Sequence, residues 1–116
     1  MRITSELFVA QLVRRVFNDG GFAAVGRKGA DAAGAIFILN RDRLGEVTFF
    51  TPAAQILVED GSTRLFMREA ACDEAEIDAR LQREARFDPD FWIVEIEVDD
   101  PARYVEIVEM GDPKAV

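Results

Sequence analysis

The chain has 116 residues, 49% of them hydrophobic and 31% charged, with a mean hydropathy of −0.01, which predicts one domain over residues 1–116 that folds without disulfides or a structural metal. Its net charge of −8 is uneven: residues 1–58 carry seven Lys/Arg against five Asp/Glu, and residues 59–116 carry seven against seventeen. Duplex nucleic acid is disfavoured as a partner, because counterion release requires a concentrated basic footprint.

A single cysteine, Cys72, cannot form an internal bridge, which points to a reducing compartment. Glu6, Arg14 and Arg15 interrupt the apolar N-terminal stretch, and no run reaches the ~18 apolar residues of a membrane span. The expectation is a cytoplasmic protein with no membrane partner.

Thr4 or Ser5 is positioned to cap a helix over residues 5–18, and Asn18-Asp19-Gly20-Gly21 supplies its stop. At 100° per residue its apolar side chains, Phe8, Leu12 and Val16 among them, cover an arc of roughly 200°. One sheet face needs only about 100°. Either the helix is seated deeply, or part of the arc, with Phe8, Leu12 and Val16 as candidates, meets a second subunit.

Residues 22–27 and 34–40 have strand composition, 41–45 read as a turn, and 46–51 resume as strand. A hairpin through Asp60-Gly61 predicts short strands over 55–59 and 63–68, and strands in such a row suggest an antiparallel meander. Asp73 then caps a second helix, with Glu76 placed as in a capping box and paired with Arg80 one turn on; Pro89 ends it. Residues 91–99 alternate as a strand, with Trp92, Val94, Ile96 and Val98 on one face and Ile93, Glu95, Glu97 and Asp99 on the other. Residues 102–109 follow an Asp-Pro helix start, yet they also alternate like a strand.

No histidine is present, which removes the imidazole base of serine and cysteine triads and the HExxH zinc site. Cys72 precedes a helix start, but Asp73, Glu74 and Glu76 oppose a thiolate there. Gly26-Arg27-Lys28-Gly29 is basic and glycine-flanked; it lacks a following helix and reads as a strand end. Glu95, Glu97 and Asp99 share a strand face at a spacing of about 6.6 Å, too wide to hold one cation unaided. Arg86-Phe87-Asp88-Pro89-Asp90-Phe91-Trp92 is the most distinctive string. It forms either a helix-to-strand junction locked by Arg86 on one of the acids, or the rim of a ligand pocket over Trp92.

Two blocks, TSELFVAQLVRRVFNDGGFAAVGRKGADAAGAIF and LQREARFDPDFWIVEIE, resemble a family of small bacterial proteins known only as a domain of unknown function. FDPDFWIVEIE is the most specific of these strings. The resemblance implies a stand-alone bacterial cytosolic protein of about this length. It carries no catalytic role to any residue.

These readings give an α+β fold, a mostly antiparallel sheet of about four to six strands packed against two main helices. The function expected is a small binding or protein-interaction domain, homodimeric or with a protein partner, without a cofactor or metal, and less an enzyme than a binder. The rival is a carboxylate- and arginine-dependent enzyme or metabolite-binding domain using Arg86, Asp88, Asp90, Trp92 and Glu95.

Overall fold

In the computed structural model, which describes residues 3–53, 64–69 and 73–108, the first helix α1 runs over Ser5–Asn18. The Thr4 side chain accepts a hydrogen bond from the Leu7 amide at 3.1 Å, so Thr4 is the cap. Ser5 serves differently, because its buried hydroxyl donates to the Gly34 carbonyl at 2.6 Å. The next free amides, Ser5 and Glu6, donate to the carbonyls of Ala32 and Asp31. The helix start is thereby stitched to the loop that precedes the second strand. At the other end the chain reverses at Gly20, whose φ of +88° lies in the left-handed region open to glycine.

Six strands follow: β1 (Phe22–Arg27), β2 (Ile36–Arg41), β3 (Val47–Pro52), β4 (Leu65–Arg68), β5 (Trp92–Glu97) and β6 (Glu106–Val108), with the second helix α2 (Glu74–Phe87) between β4 and β5. The sheet order is β1-β5-β2-β3-β4-β6. Three neighbouring pairs are antiparallel, and two, β2–β5 and β4–β6, are parallel. The α+β class and the mostly antiparallel sheet agree with the sequence. The meander does not: β5 inserts between β1 and β2, because α2 carries the chain across the sheet and returns it parallel to β2. The predicted strand over 55–59 and the Asp60-Gly61 turn lie outside the described residues. Residues 101–103 form one 3₁₀ turn and 106–108 a strand, so each reading of that segment holds for part of it.

The two helices cover opposite faces of the sheet. Val9, Leu12 and Val16 of α1 pack on Ala23, Ile36, Ile38, Phe50, Phe66, Trp92, Val94 and Ile96. Ile77 and Leu81 of α2 pack on Phe37, Phe49 and Phe91. Residues of opposite parity in β2, Ile36 and Ile38 against Phe37, are therefore all buried, which is why Ile-Phe-Ile-Leu does not alternate in polarity. The Asp73 carboxylate caps α2 by accepting from the Glu76 amide at 2.8 Å. Arg80 pairs with Glu69, just past the end of β4, at 2.9 Å rather than with Glu76. Among the described residues no helix is long and apolar enough to cross a membrane.

The loop between β1 and β2 runs against the entry to β5 with almost no clearance. A Cβ on Gly29 would lie 2.5 Å from the Asp90 carbonyl oxygen and 2.6 Å from the Phe91 carbonyl carbon. Backbone atoms cannot rotate away as a side chain does, so Gly29→Ala is expected to cost about 2–3 kcal/mol. Urea unfolding checks this as a lower midpoint at unchanged slope; a change within about 0.5 kcal/mol would contradict the packing described.

Candidate functional site

The carboxyl ends of parallel β2 and β5 open into a polar pocket of about 410 Å³, lined by the Asp19-Gly20-Gly21 turn, Arg41, Asp42, Arg43, Glu97, Asp99, Asp100, Arg103 and Tyr104. Asn40 sets its geometry. Buried at the end of β2, it donates through Nδ2 to the Val98 carbonyl and accepts at Oδ1 from the Val98 amide, both at 3.1 Å. The Asp42 carboxylate folds the turn beyond by accepting from the amides of Leu44 and Glu46 at 2.9 and 3.0 Å. Two ion pairs form among the lining residues: Arg43 lies 3.0 Å from Asp99, and Arg103 3.7 Å from Asp19. Arg41 is turned away to pair with Glu74 of α2. Asp19 also accepts from the Tyr104 hydroxyl at 2.8 Å. That hydrogen bond, with burial and the negative charge of Asp19 adding to it, raises the phenol above its ordinary 10.0. At neutral pH Tyr104 is therefore a hydrogen-bond donor and not a base.

A second concavity differs in character. An apolar groove of about 560 Å³ runs between α1 and β1, floored by Val9, Ala10, Val13, Val25 and Trp92 and rimmed by Glu6, Arg14 and Lys28. It exists because β1 is an edge strand; among the described residues no further strand covers the flank of α1, and β1 bulges between Val25 and Arg27. Leu7 and Phe17 of α1 and Phe22 and Val25 of β1 are each about half exposed, at 46, 51, 48 and 46%. The Phe17 and Phe22 rings meet edge to face at 5.9 Å across the α1–β1 turn. The two remaining large exposed apolar residues among those described, Leu44 and Phe87, are isolated at a turn and at the end of α2.

The FDPDFW string forms a junction. The Asp88 carboxylate accepts from the Asp90 amide at 3.1 Å, and the Asp90 carbonyl accepts from the Ala30 amide at 3.0 Å. Trp92, only 3% exposed, donates its indole N–H to the Ala30 carbonyl at 2.9 Å. The arginine that locks this corner is Arg27: it donates to the Pro89 carbonyl at 2.7 Å and lies 4.5 Å over the Phe91 ring. Arg86, expected in that role, sits exposed on the last turn of α2. Trp92 faces the α1 side of β5 and Glu95 points to the opposite side, so Arg86, Asp88, Asp90, Trp92 and Glu95 do not surround a common space. Lys28 of the basic loop lies 3.9 Å from Glu6 and 3.8 Å from Asp31. Among the described residues no three His, Cys, Asp or Glu converge as metal ligands would; Cys72 lies outside them.

On α1, Leu12 and Val16 are buried on the sheet, and Phe8 packs on the same core with its ring 5.9 Å from that of Phe66. The groove residues Ala10 and Val13 belong to the wide apolar arc read from the sequence, but not to the interface candidates Phe8, Leu12 and Val16; Val25 and the pocket residues Asp19 and Tyr104 are missed by sequence reasoning.

A mixed six-stranded sheet with a helix on each face thus defines an α+β protein with two open concavities and no recognisable catalytic constellation among the described residues. The family model described as "Protein of unknown function (DUF1491)" matches residues 3–106, and the chain belongs to this family. It is similar to the solution structure of protein Atu0922 from A. tumefaciens, at 45% identity and a TM-score of 0.82 over 97% of this chain and 99% of that one. It is likewise similar to the crystal structure of a DUF1491 family protein from Caulobacter crescentus CB15, at 34% identity and a TM-score of 0.74 over 93% of this chain and 100% of that one. No curated protein matches it.

Tyr104 is the single tyrosine, so its ionisation can be followed by phenolate absorbance. The midpoint is expected above 10.0. The stabilisation from the raised value is present below 10.0 and is lost as pH rises through the folded-state pKa. Tyr104→Phe should be less stable at neutral pH and lack that alkaline step; a phenol titrating at or below its ordinary value would contradict the Asp19 hydrogen bond.

Proposed function

We propose that the protein is a small cytoplasmic interaction domain that self-associates through the free β1 edge and the adjoining face of α1. The observation that carries this reading is the clustering of exposed apolar surface there. Val25 lines an apolar groove, Leu7 and Phe17 lie one helical turn from its residues Ala10 and Val13, and Phe22 meets Phe17, while the other large exposed apolar residues among those described stand apart. Singly exposed apolar residues are ordinary, but a contiguous patch rimmed by charge is what partner surfaces present. An uncovered edge strand also offers unpaired backbone donors and acceptors, which soluble proteins commonly shield with lysine, proline or a covering segment. Phe-Ala-Ala-Val carries no such shield before the bulge. The contact uses the outer side of α1, since Leu12 and Val16 are committed to the core.

Sedimentation equilibrium at tens of micromolar tests the reading. The expected species has twice the 13.0 kDa mass of one chain, and Val25→Asp, which places a charge on the exposed edge, returns it to a single chain with little change in thermal midpoint. A wild-type monomer under these conditions would reject self-association.

A second reading, a metabolite-binding domain, draws on the polar pocket, because the carboxyl ends of parallel strands are where open sheets receive ligands. A thermal-shift screen with nucleotides and sugar phosphates supports it if a saturable stabilisation appears and Arg103→Ala removes it.

A further inference from the structure

We propose that the partner on this face is the α1 helix of a second copy, lying antiparallel to the first about a two-fold axis through Ala10. This rests on the self-association reading above and fixes its register. At 100° per residue, Glu6, Leu7, Ala10, Val13 and Arg14 fall within an arc of about 120° centred on Ala10, turned away from buried Ser5, Leu12 and Val16. Glu6, Leu7, Ala10 and Arg14 are exposed and Val13 half-buried, so the sheet leaves this arc open.

The order of residues along the arc is self-complementary. A two-fold axis at Ala10 brings each residue opposite the one equally far on the other side of it. Leu7 of one copy then meets Val13 of the other, and Glu6 meets Arg14, once at each end of the contact. Glu6 and Arg14 each lie about 6 Å along the helix axis from Ala10, so both ion pairs flank an apolar centre. A small side chain at the crossing point lets two helices approach to about 8 Å. A parallel arrangement would instead set Glu6 against Glu6 and Arg14 against Arg14.

Both charged residues are available for this. Arg14 makes no ion pair among the described residues, and Glu6 has only the 3.9 Å approach of Lys28. Two chains of net charge −8 repel one another, so a stable contact has to fall where the acidic excess is absent. Glu6, Arg14 and Lys28 around the groove meet that condition, whereas the faces built from residues 59–116 do not. The isologous geometry makes each substitution act twice.

Charge exchange tests the register, read as the dimer dissociation constant from sedimentation. Glu6→Arg sets arginine against arginine at both ends and should weaken the dimer by about tenfold or more, although it brings the net charge closer to zero. Arg14→Glu should weaken it comparably, and the double exchange E6R/R14E should restore it to within about threefold of wild type. Arg83→Glu on α2 controls for net charge and should leave the constant within about twofold. Ala10→Trp, at an exposed position that should leave the fold intact, is expected to abolish pairing by holding the helices apart; circular dichroism and the thermal midpoint of each variant report folding separately. Single reversals without effect, or an exchange that fails to restore binding, would overturn this register while leaving self-association standing. A wild-type monomer would remove both.

Discussion

Strand β5 and the junction that feeds it hold the rest of the molecule in place. It is hydrogen-bonded to β1 on one side and β2 on the other. Its side chains reach both cores: Trp92, Val94 and Ile96 lie under α1, and Ile93 packs with Phe91 on the α2 side. The chain enters β5 through Asp88-Pro89-Asp90, where the carbonyls of Pro89 and Asp90 take hydrogen bonds from Arg27 and Ala30. The same loop binds the first turn of α1 through Ala32, Asp31 and Gly34. One corner therefore sets the position of the helix, the edge strand and the central strand together. An arginine that spans it, partly buried and stacked on Phe91, does so with a charge-assisted bond stronger than a neutral one.

Both concavities are consequences of that placement. The apolar groove has Trp92, the first residue of β5, in its floor, and the polar pocket has Glu97 and Val98, where β5 ends, in its wall. Inserting β5 between β1 and β2 also pushes β1 to one edge of the sheet, opposite the edge formed by β6. The pairings that define the centre of the sheet join residues far apart in sequence, Ile36 with Trp92 and Phe22 with Glu97. Long-range pairings of this kind form late and slow folding relative to local contacts.

The elements are legible in the sequence because their signals are local. Thr4 and Asp73 cap their helices through side-chain oxygens, and the Trp-Ile-Val-Glu-Ile-Glu alternation of β5 states its face directly. Strand order is not legible, since hairpin-like spacing from β1 to β4 suggests a meander and nothing local announces that α2 is a crossover. The unbroken Ile-Phe-Ile-Leu of β2 is the available clue, because a strand apolar on both sides belongs at the centre of a sheet covered on both faces. The junction character of the FDPDFW string is also legible, from Pro89 and its flanking acids. Its partner is not, because Arg27 lies on a different strand and Arg86 is nearer in sequence. On α1 the apolar arc is visibly wider than one sheet face requires, but sequence alone cannot say which part of an arc the sheet takes.

Native-state hydrogen exchange tests the role of β5 most directly. If β5 anchors the fold, the hydrogen-bonded amides of Val94 and Ile96 exchange only through global unfolding, with a free energy equal to that from denaturant melts and matched by Ile38 and Leu39 of β2. If β5 amides instead exchange through a smaller opening while the β2–β3 amides stay protected, the molecule is held together by the β2–β3 hairpin, and β5 is an addition to it.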